Sequence, residues 1–477
     1  MTEYSNEQYF RSNEFKVLLN RYEQDTCSGE PSYFEPDELT NIAEYYQDHG
    51  DTDQALHAVD RAISTFPGTA TPLLFRARYA LLREDNPQEA ERYAQLIDDK
   101  TDFDYYYLIA EIMLYRGQDA QADSYLYQHF QEIDSDDRAD YIYDVASLLV
   151  DYNADQLAEK WIGYTGRKDS QDYREVMARV YALRGEYAQA EQLLEPLVEE
   201  HPYSVFYWTQ LASAQFMEGQ VSEALQSSEF AIAIDPLCDE AIMDKGNCLF
   251  TMGKLEQALD YYQRYQKLRP NDPNGETMVG SALVRLGKLE PALAHYQRAM
   301  QLASGNSYMQ IEIGKQLCLI RSAQGHEDEA MVILDQLGAL DGANAAELCV
   351  LRGYVCLENN HYERATAWFD EAVSRSDVPI DTERQIGVAA YDNGYTMLAY
   401  DIFKRVTTSR PATESVDGWA YYASCCLQLG SYDEFVSALD TACRVNPQEV
   451  AMVFAEALTN DINPHHYFEY LKEKFRK

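Results

Sequence analysis

Apolar and small residues recur along this chain at two superimposed spacings. Within a segment they fall at i, i+3, i+4 and i+7, the signature of a helix with one buried face. Between segments the whole pattern returns after 34 residues: LASAQFMEGQVSEALQSSEFAIAIDP (211–236), then KGNCLFTMGKLEQALDYYQRYQKLRP (245–270), then VGSALVRLGKLEPALAHYQRAMQL (279–302). Each copy has a small residue, glycine seven positions later and alanine five beyond that. The pattern predicts two antiparallel helices per period. Small residues let them approach closely, glycine ends the first helix in a left-handed cap, and proline stops the second. One such pair cannot bury its own apolar face, so the pairs must stack.

The frame runs through most of the chain. The first-helix small position falls at Ala43, Ala77, Ala110, Ala146, Ala178, Ala212, Gly246, Gly280, Cys318, Gly353, Gly387 and Ala423. The second-helix position falls at Ala55, Ala90, Ala122, Ala158, Ala190, Ala224, Ala258, Ala292, Ala330, Ala365, Ala399 and Phe435. With the turn glycines Gly219, Gly253 and Gly287 and the closing Pro236 and Pro270, this resembles the tetratricopeptide repeat over about residues 36–448. The resemblance implies an all-α fold, an α-solenoid in the form of a right-handed superhelix of antiparallel helix pairs. It departs in the fourth unit, which lacks the turn glycine and closing proline, in the ninth, which carries extra residues around SGNSYMQ, and in the twelfth, where Phe435 stands for a small residue.

The ends need covering, because terminal repeats expose an apolar face. Residues 1–35 are expected to supply a capping helix over 6–24, with Phe15, Leu18, Leu19 and Tyr22 on one stripe, and a loop at CSGEPSYFEP. Residues 36–448 form the array of about twelve units. Residues 449–477 supply C-terminal capping helices: EVAMVFAEAL, interrupted by Pro464, then Tyr467, Leu471 and Phe475 on one face.

Charge narrows the partners. The net charge is −41, and residues 1–150 alone hold 31 acidic and 11 basic side chains. Such a field repels nucleic acid and anionic membranes and favours basic partners. Nine cysteines without a CxxC pair do not form a disulfide framework, no basic n-region with an apolar run opens the chain, and no stretch is long and apolar enough to span a bilayer. A cytoplasmic location is expected.

Chemistry is sparse. Among nine histidines only His465 and His466 are close, beside Tyr467 rather than metal-binding side chains. HExxH, GxxxxGK[ST], GxSxG and a strand-borne GxGxxG are absent. Cys318, Cys349, Cys356 and Cys426 occupy packing positions of the repeat, and carboxylate pairs such as Asp98–Asp99 and Asp136–Asp137 fall in loop-like segments. No catalytic residue, cofactor site or metal site is predicted, and the chain is expected not to be an enzyme.

The resemblance implies that first helices line a concave inner surface. Its exposed positions lie six and three residues before the small residue, and one, four and five after it. Units three to five then offer Asp104, Tyr107, Glu111, Tyr115, Asp140, Tyr143, Asp151, Asp172, Glu175 and Arg179, carboxylates interleaved with tyrosines. Units six and seven offer Phe206, Thr209, Phe216, Met217, Met243, Asn247 and Phe250, and later units add Asn274, Arg285, Lys315, Tyr354, Arg384 and Tyr391. Chaperone-binding members of the family hold a C-terminal carboxylate with a lysine and an asparagine on one first helix. The matching pairs here are Thr209 with Ser213, Met243 with Asn247, and Thr277 with Ser281, and the lysine is missing from each.

The expected function is a non-enzymatic scaffold or adaptor holding a protein segment, basic in character, in this groove. Its partner is a protein or peptide, not nucleic acid, with no membrane insertion. The basic C-terminus (Lys472, Lys474, Arg476, Lys477) offers a possible route to self-association. The alternatives are an accessory or regulatory subunit of an enzyme, as in glycosyltransferase-type systems that carry such repeats, and an RNA-binding helical-repeat protein, which would need a basic groove.

Overall fold

A turn in which one residue takes a positive φ separates the two helices of every pair. In chain order these residues are Gly50, Asp85, Gly117, Asn153, Gly185, Gly219, Gly253, Gly287, Gly325, Asn360, Gly394 and Gly430. The left-handed conformation costs little for glycine and is tolerated by asparagine and aspartate, whose short polar side chains bond locally. Asn153 therefore does in repeat 4 what the missing glycine does elsewhere, with φ 57°. The twelve turns mark twelve repeats.

The computed structural model describes residues 9–28, 32–409, 417–458 and 462–476. Residues 6–8 of the expected leading helix, part of the CSGEPSYFEP loop and Lys477 lie outside the described residues. The helix pairs run from Pro36–Asp48 with Thr52–Thr65 in repeat 1 to Trp419–Gln428 with Tyr432–Val445 in repeat 12, and no strand occurs among the described residues. The fold is an all-α solenoid. It divides into two compact units, Met1–Gly275 with repeats 1–7 and Glu276–Lys477 with repeats 8–12.

The core is a chain of small clusters, each shared by neighbours. One joins Tyr107, Leu126, Tyr141, Trp161 and Val176 of repeats 3–5, and another joins Phe369, Phe403 and Phe435 of repeats 10–12 to the terminal helices. Within a repeat, the size of the first-helix residue sets what lies beneath it. A Cβ added at Gly246, Gly280, Gly353 or Gly387 would stand 2.6, 2.9, 2.1 or 2.9 Å from the ring of Tyr262, Tyr296, Phe369 or Phe403. Where alanine occupies that position, as at Ala110 and Ala178, the corresponding second-helix residue is aliphatic, Leu126 or Leu194.

The irregular units have local explanations. In repeat 9 the extra residues lengthen the first helix to Ser307–Ala323, capped by the Asn306 side chain accepting from the Met309 N–H. In repeat 12 Phe435 is fully buried and meets Phe454 and Phe475 of the chain that follows, so a large side chain bridges to the C-terminal cover. That cover comprises Pro447–Val453, a short 3-10 turn at Pro464–His466, and Tyr467–Lys474, with Leu471 buried. At the other end, Asn13–Ser28 buries Phe15, Leu18 and Tyr22 against repeat 1.

Candidate partner-binding surface

The first helices of repeats 2–6 carry a row of side chains that bond from one repeat to the next. Arg78 of repeat 2 donates to Glu111 of repeat 3 at 2.9 Å, and the Tyr107 hydroxyl of repeat 3 donates to Asp144 of repeat 4 at 3.1 Å. The hydroxyls of Tyr143 in repeat 4 and Tyr207 in repeat 6 both donate to Glu175 of repeat 5, the latter at 2.7 Å, and Gln171 donates in turn to Tyr207 at 2.8 Å. Arg179 pairs with Asp151 at 2.5 Å, and Tyr115 donates to Asp85 at 2.6 Å.

This corrects one expectation. Tyr107, Glu175 and Thr209 were expected at exposed inner positions, but they are 9%, 9% and 3% exposed. Adjacent first helices lie close enough for a tyrosine hydroxyl to reach the next repeat's carboxylate, so these groups satisfy each other instead of facing solvent. Burial beside carboxylates pushes the Tyr107 and Tyr143 hydroxyls well above the usual range, and both remain protonated donors. Glu111 and Tyr143 are half-buried by the same network, and Asn247 accepts from its own hairpin's Tyr262 hydroxyl at 3.0 Å.

What remains open is narrower. Asp104, Asp140 and Asp172 are exposed, one per repeat, at the same first-turn position of repeats 3, 4 and 5. Among the described residues none of the three carboxylates forms an ion pair. Carboxylates in a first turn also complement the helix dipole, so each has a local role as well. Deeper along the helices, burial raises the Asp144 carboxyl, and burial together with Glu240 pushes Asp244 up to about 7. Burial and Asp48 push Glu44 up to about 7 against the opposing pull of Arg78.

An apolar edge runs beside these charges. Leu82, Tyr115, Leu183 and Met217, each near the end of a first helix, are 58%, 36%, 42% and 54% exposed. Leu82 and Leu183 were not among the expected groove residues. Their signal is positional: a large apolar residue two or three places before the left-handed turn. Phe206, Phe216, Met243 and Phe250 are half-buried in the same helices of repeats 6 and 7.

The second unit carries a different feature. A cleft of about 500 Å³ opens between repeats 11 and 12 and the helix Pro447–Val453, lined by Arg384, Val388, Asp417, Tyr421, Gln448 and Met452. Arg384 stands 4.0 Å from Asp417, and buried Glu449 accepts from the Gly418 and Ala420 N–H groups, capping the first helix of repeat 12. Only Arg384 of this cleft was among the expected positions, because the expected repeat frame stopped before Pro447.

Other chemistry is structural. Seven of the cysteines, from Cys238 to Cys426, are buried as packing residues, and burial raises their thiols above the usual range. The pairs Asp98–Asp99 and Asp136–Asp137 are exposed. Among the described residues no group of His, Cys, Asp and Glu side chains converges to hold a metal, and no helix is long and apolar enough to cross a membrane.

Three family models, each described as a tetratricopeptide repeat, match residues 40–105, 215–281 and 346–377. Among curated proteins no match is found. Similar solved structures include yeast Tom70, 15% identical over 95% of this chain and 93% of that one with a TM-score of 0.43. The Cut9–Hcn1 tetramer of the APC/C gives 14% identity over 95% of each chain and a TM-score of 0.36. YrrB, a repeat protein with an unusual peptide-binding site, gives 20% identity over 38% of this chain and 92% of its own, with a TM-score of 0.32. The matched segments fall in the same frame as the twelve left-handed turns, and the chain is a tetratricopeptide-repeat protein.

Proposed function

We propose that this chain is a non-catalytic scaffold whose first unit holds an extended, Lys- and Arg-rich protein segment along the first helices of repeats 3–6. The observation that carries this reading is the row formed by Asp104, Asp140 and Asp172. The three carboxylates repeat at the period of the fold, are exposed, and have no cation of their own among the described residues. A partner with spaced basic side chains could meet one carboxylate per repeat, while Leu183 and Met217 offer apolar contact beside them. The tyrosine–carboxylate network beneath is rigid and already satisfied, so it holds the row in place rather than gripping the partner.

The test is the triple variant Asp104→Asn, Asp140→Asn, Asp172→Asn, titrated with a fluorescent peptide of alternating lysine and serine. Exposed ion pairs contribute up to about 1 kcal/mol each, so affinity should fall by about tenfold and lose much of its salt dependence. Equal affinity and an equal salt slope for variant and parent would reject the reading. Changing Tyr107, Tyr143 and Glu175 is the wrong experiment, because it would disrupt the wall itself.

A further inference from the structure

In a solenoid each repeat ordinarily touches only its neighbours. The first unit breaks that rule at one place. Arg11, at the start of the leading segment, donates to the Asp235 carboxylate at 2.8 Å and to the Leu237 carbonyl at 3.3 Å. Asn271 donates to the His49 carbonyl at 3.0 Å, and Arg269 donates to the Asp48 carbonyl at 3.4 Å. The partners lie 221 to 226 residues apart in sequence. One edge is the leading segment and the turn of repeat 1. The other is the pair of loops that follow the second helices of repeats 6 and 7.

The two edges are fitted to each other. A Cβ at Gly50 would stand 2.6 Å from the Asn271 amide nitrogen, so the close approach uses the absence of a side chain. Arg269 is oriented by Asp239 at 2.5 Å before it reaches across. The Asp235 carboxylate is only 12% exposed, so its pairing with Arg11 is shielded from solvent more than an ordinary surface contact. The join is nevertheless loop against loop through polar groups. It leaves a cleft of about 250 Å³ between Phe10, Tyr45 and His49 on one edge and Leu237, Asp239 and Leu268 on the other. Such a junction opens more readily than a packed apolar core, because its groups regain water when they part.

We infer that these contacts form a clasp that closes repeats 1–7 into a single turn and controls access to the inner wall. With the clasp shut, a segment reaches repeats 3–6 by way of the openings of the turn, as an extended chain with a free end. With the clasp open, a segment bounded by folded domains can enter from the side. The access half of this inference rests on the scaffold reading; the closure itself does not.

Hydrogen–deuterium exchange on the full chain tests the closure with one substitution on each edge. Arg11→Glu should speed exchange several-fold in residues 235–242 as well as near residue 11, and Asn271→Ala should do the same in residues 47–51. Faster exchange confined to the edge that carries the substitution would overturn the clasp. Access is tested by the association rate of the alternating Lys–Ser peptide, either free or fused to folded domains at both ends. Arg11→Glu should speed the doubly fused peptide several-fold and leave the free one nearly unchanged. If the doubly fused peptide associates with parent and variant at the same rate, the gating role is overturned. If neither peptide binds either protein, the scaffold reading fails, and the exchange result alone decides the closure.

Discussion

Repeats 3–6 and repeats 7, 8, 10 and 11 place their large aromatic side chains on opposite helices of the hairpin. In the first group tyrosines ride on the first helices, and their hydroxyls tie one repeat to another: Tyr107 to Asp144, and Tyr143 and Tyr207 to Glu175. In the second group the rings of Tyr262, Tyr296, Phe369 and Phe403 ride on the second helices and lie beneath a glycine of their own hairpin. Cohesion is therefore concentrated between repeats in one region and within repeats in the other. A stacked array needs both kinds, since its stability is a sum of repeat and interface contributions. The regions differ in which contribution carries the aromatic area, and only the first arrangement leaves a hydrogen-bonded polar wall on the first helices.

The comparison can be broken most directly at Gly353. A Cβ there would stand 2.1 Å from the Phe369 ring, and overpacking of this kind costs typically about 3 kcal/mol at the upper end. Gly353→Ala should destabilise repeat 10 by that order, read as faster local hydrogen exchange in Ala345–Glu358 and Tyr362–Arg375. The double variant Gly353→Ala, Phe369→Leu reproduces the alanine-over-leucine pair of repeats 3 and 5 and should recover most of the loss. A double variant no better than the single one would show that the two packings are not interchangeable.

The complementary break is Glu175→Ala. It strands two half-buried tyrosine hydroxyls at once, at a cost of about 2 kcal/mol for unsatisfied groups in such surroundings. Because Glu175 bonds to repeats 4 and 6, exchange should rise in both neighbours as well as in Gln171–Leu183. A rise confined to repeat 5 would mean that the network does not couple repeats.

Much of this was legible in the sequence, for a physical reason. The period, the close-approach residues and the turns are local requirements of a hairpin, so each repeat states them again. Even the repeat without a glycine obeyed the rule, since Asn153 accepts the left-handed conformation. What a one-repeat template could not show is the distance between neighbouring first helices. That distance buries Tyr107 and Glu175, which the template places in solvent. Nor could the template show contacts that skip repeats. Nothing about Arg11 and Asp235 individually marks them as partners, because their meeting depends on the accumulated rotation of all the hairpins between them. The cleft beside Arg384 was missed for a related reason: Pro447–Val453 takes the place of another first helix without the repeat's small-residue signature.

The smallest expected effect concerns the first-helix carboxyls of the first unit. Asp244 has its carboxyl raised to about 7 by burial and by the neighbouring Glu240, against an ordinary value of 3.8. A carboxyl whose folded pKa is raised stabilises the fold when protonated, so its contribution is present at low pH and is lost as pH rises through about 7. One pKa unit corresponds to about 1.4 kcal/mol, and contact with water reduces the full shift to an effect on the order of 1 kcal/mol. Asp244→Asn should therefore leave stability near pH 5 almost unchanged and raise it above pH 7, flattening the melting temperature between about pH 6 and about pH 8. Glu44 titrates in the same window and remains in the variant, so the slope should shrink rather than vanish. A variant whose melting temperature falls with pH as steeply as the parent's would mean that Asp244 is solvated and charged in the folded chain. The first helix of repeat 7 would then be more open to water than its packing against repeat 6 implies.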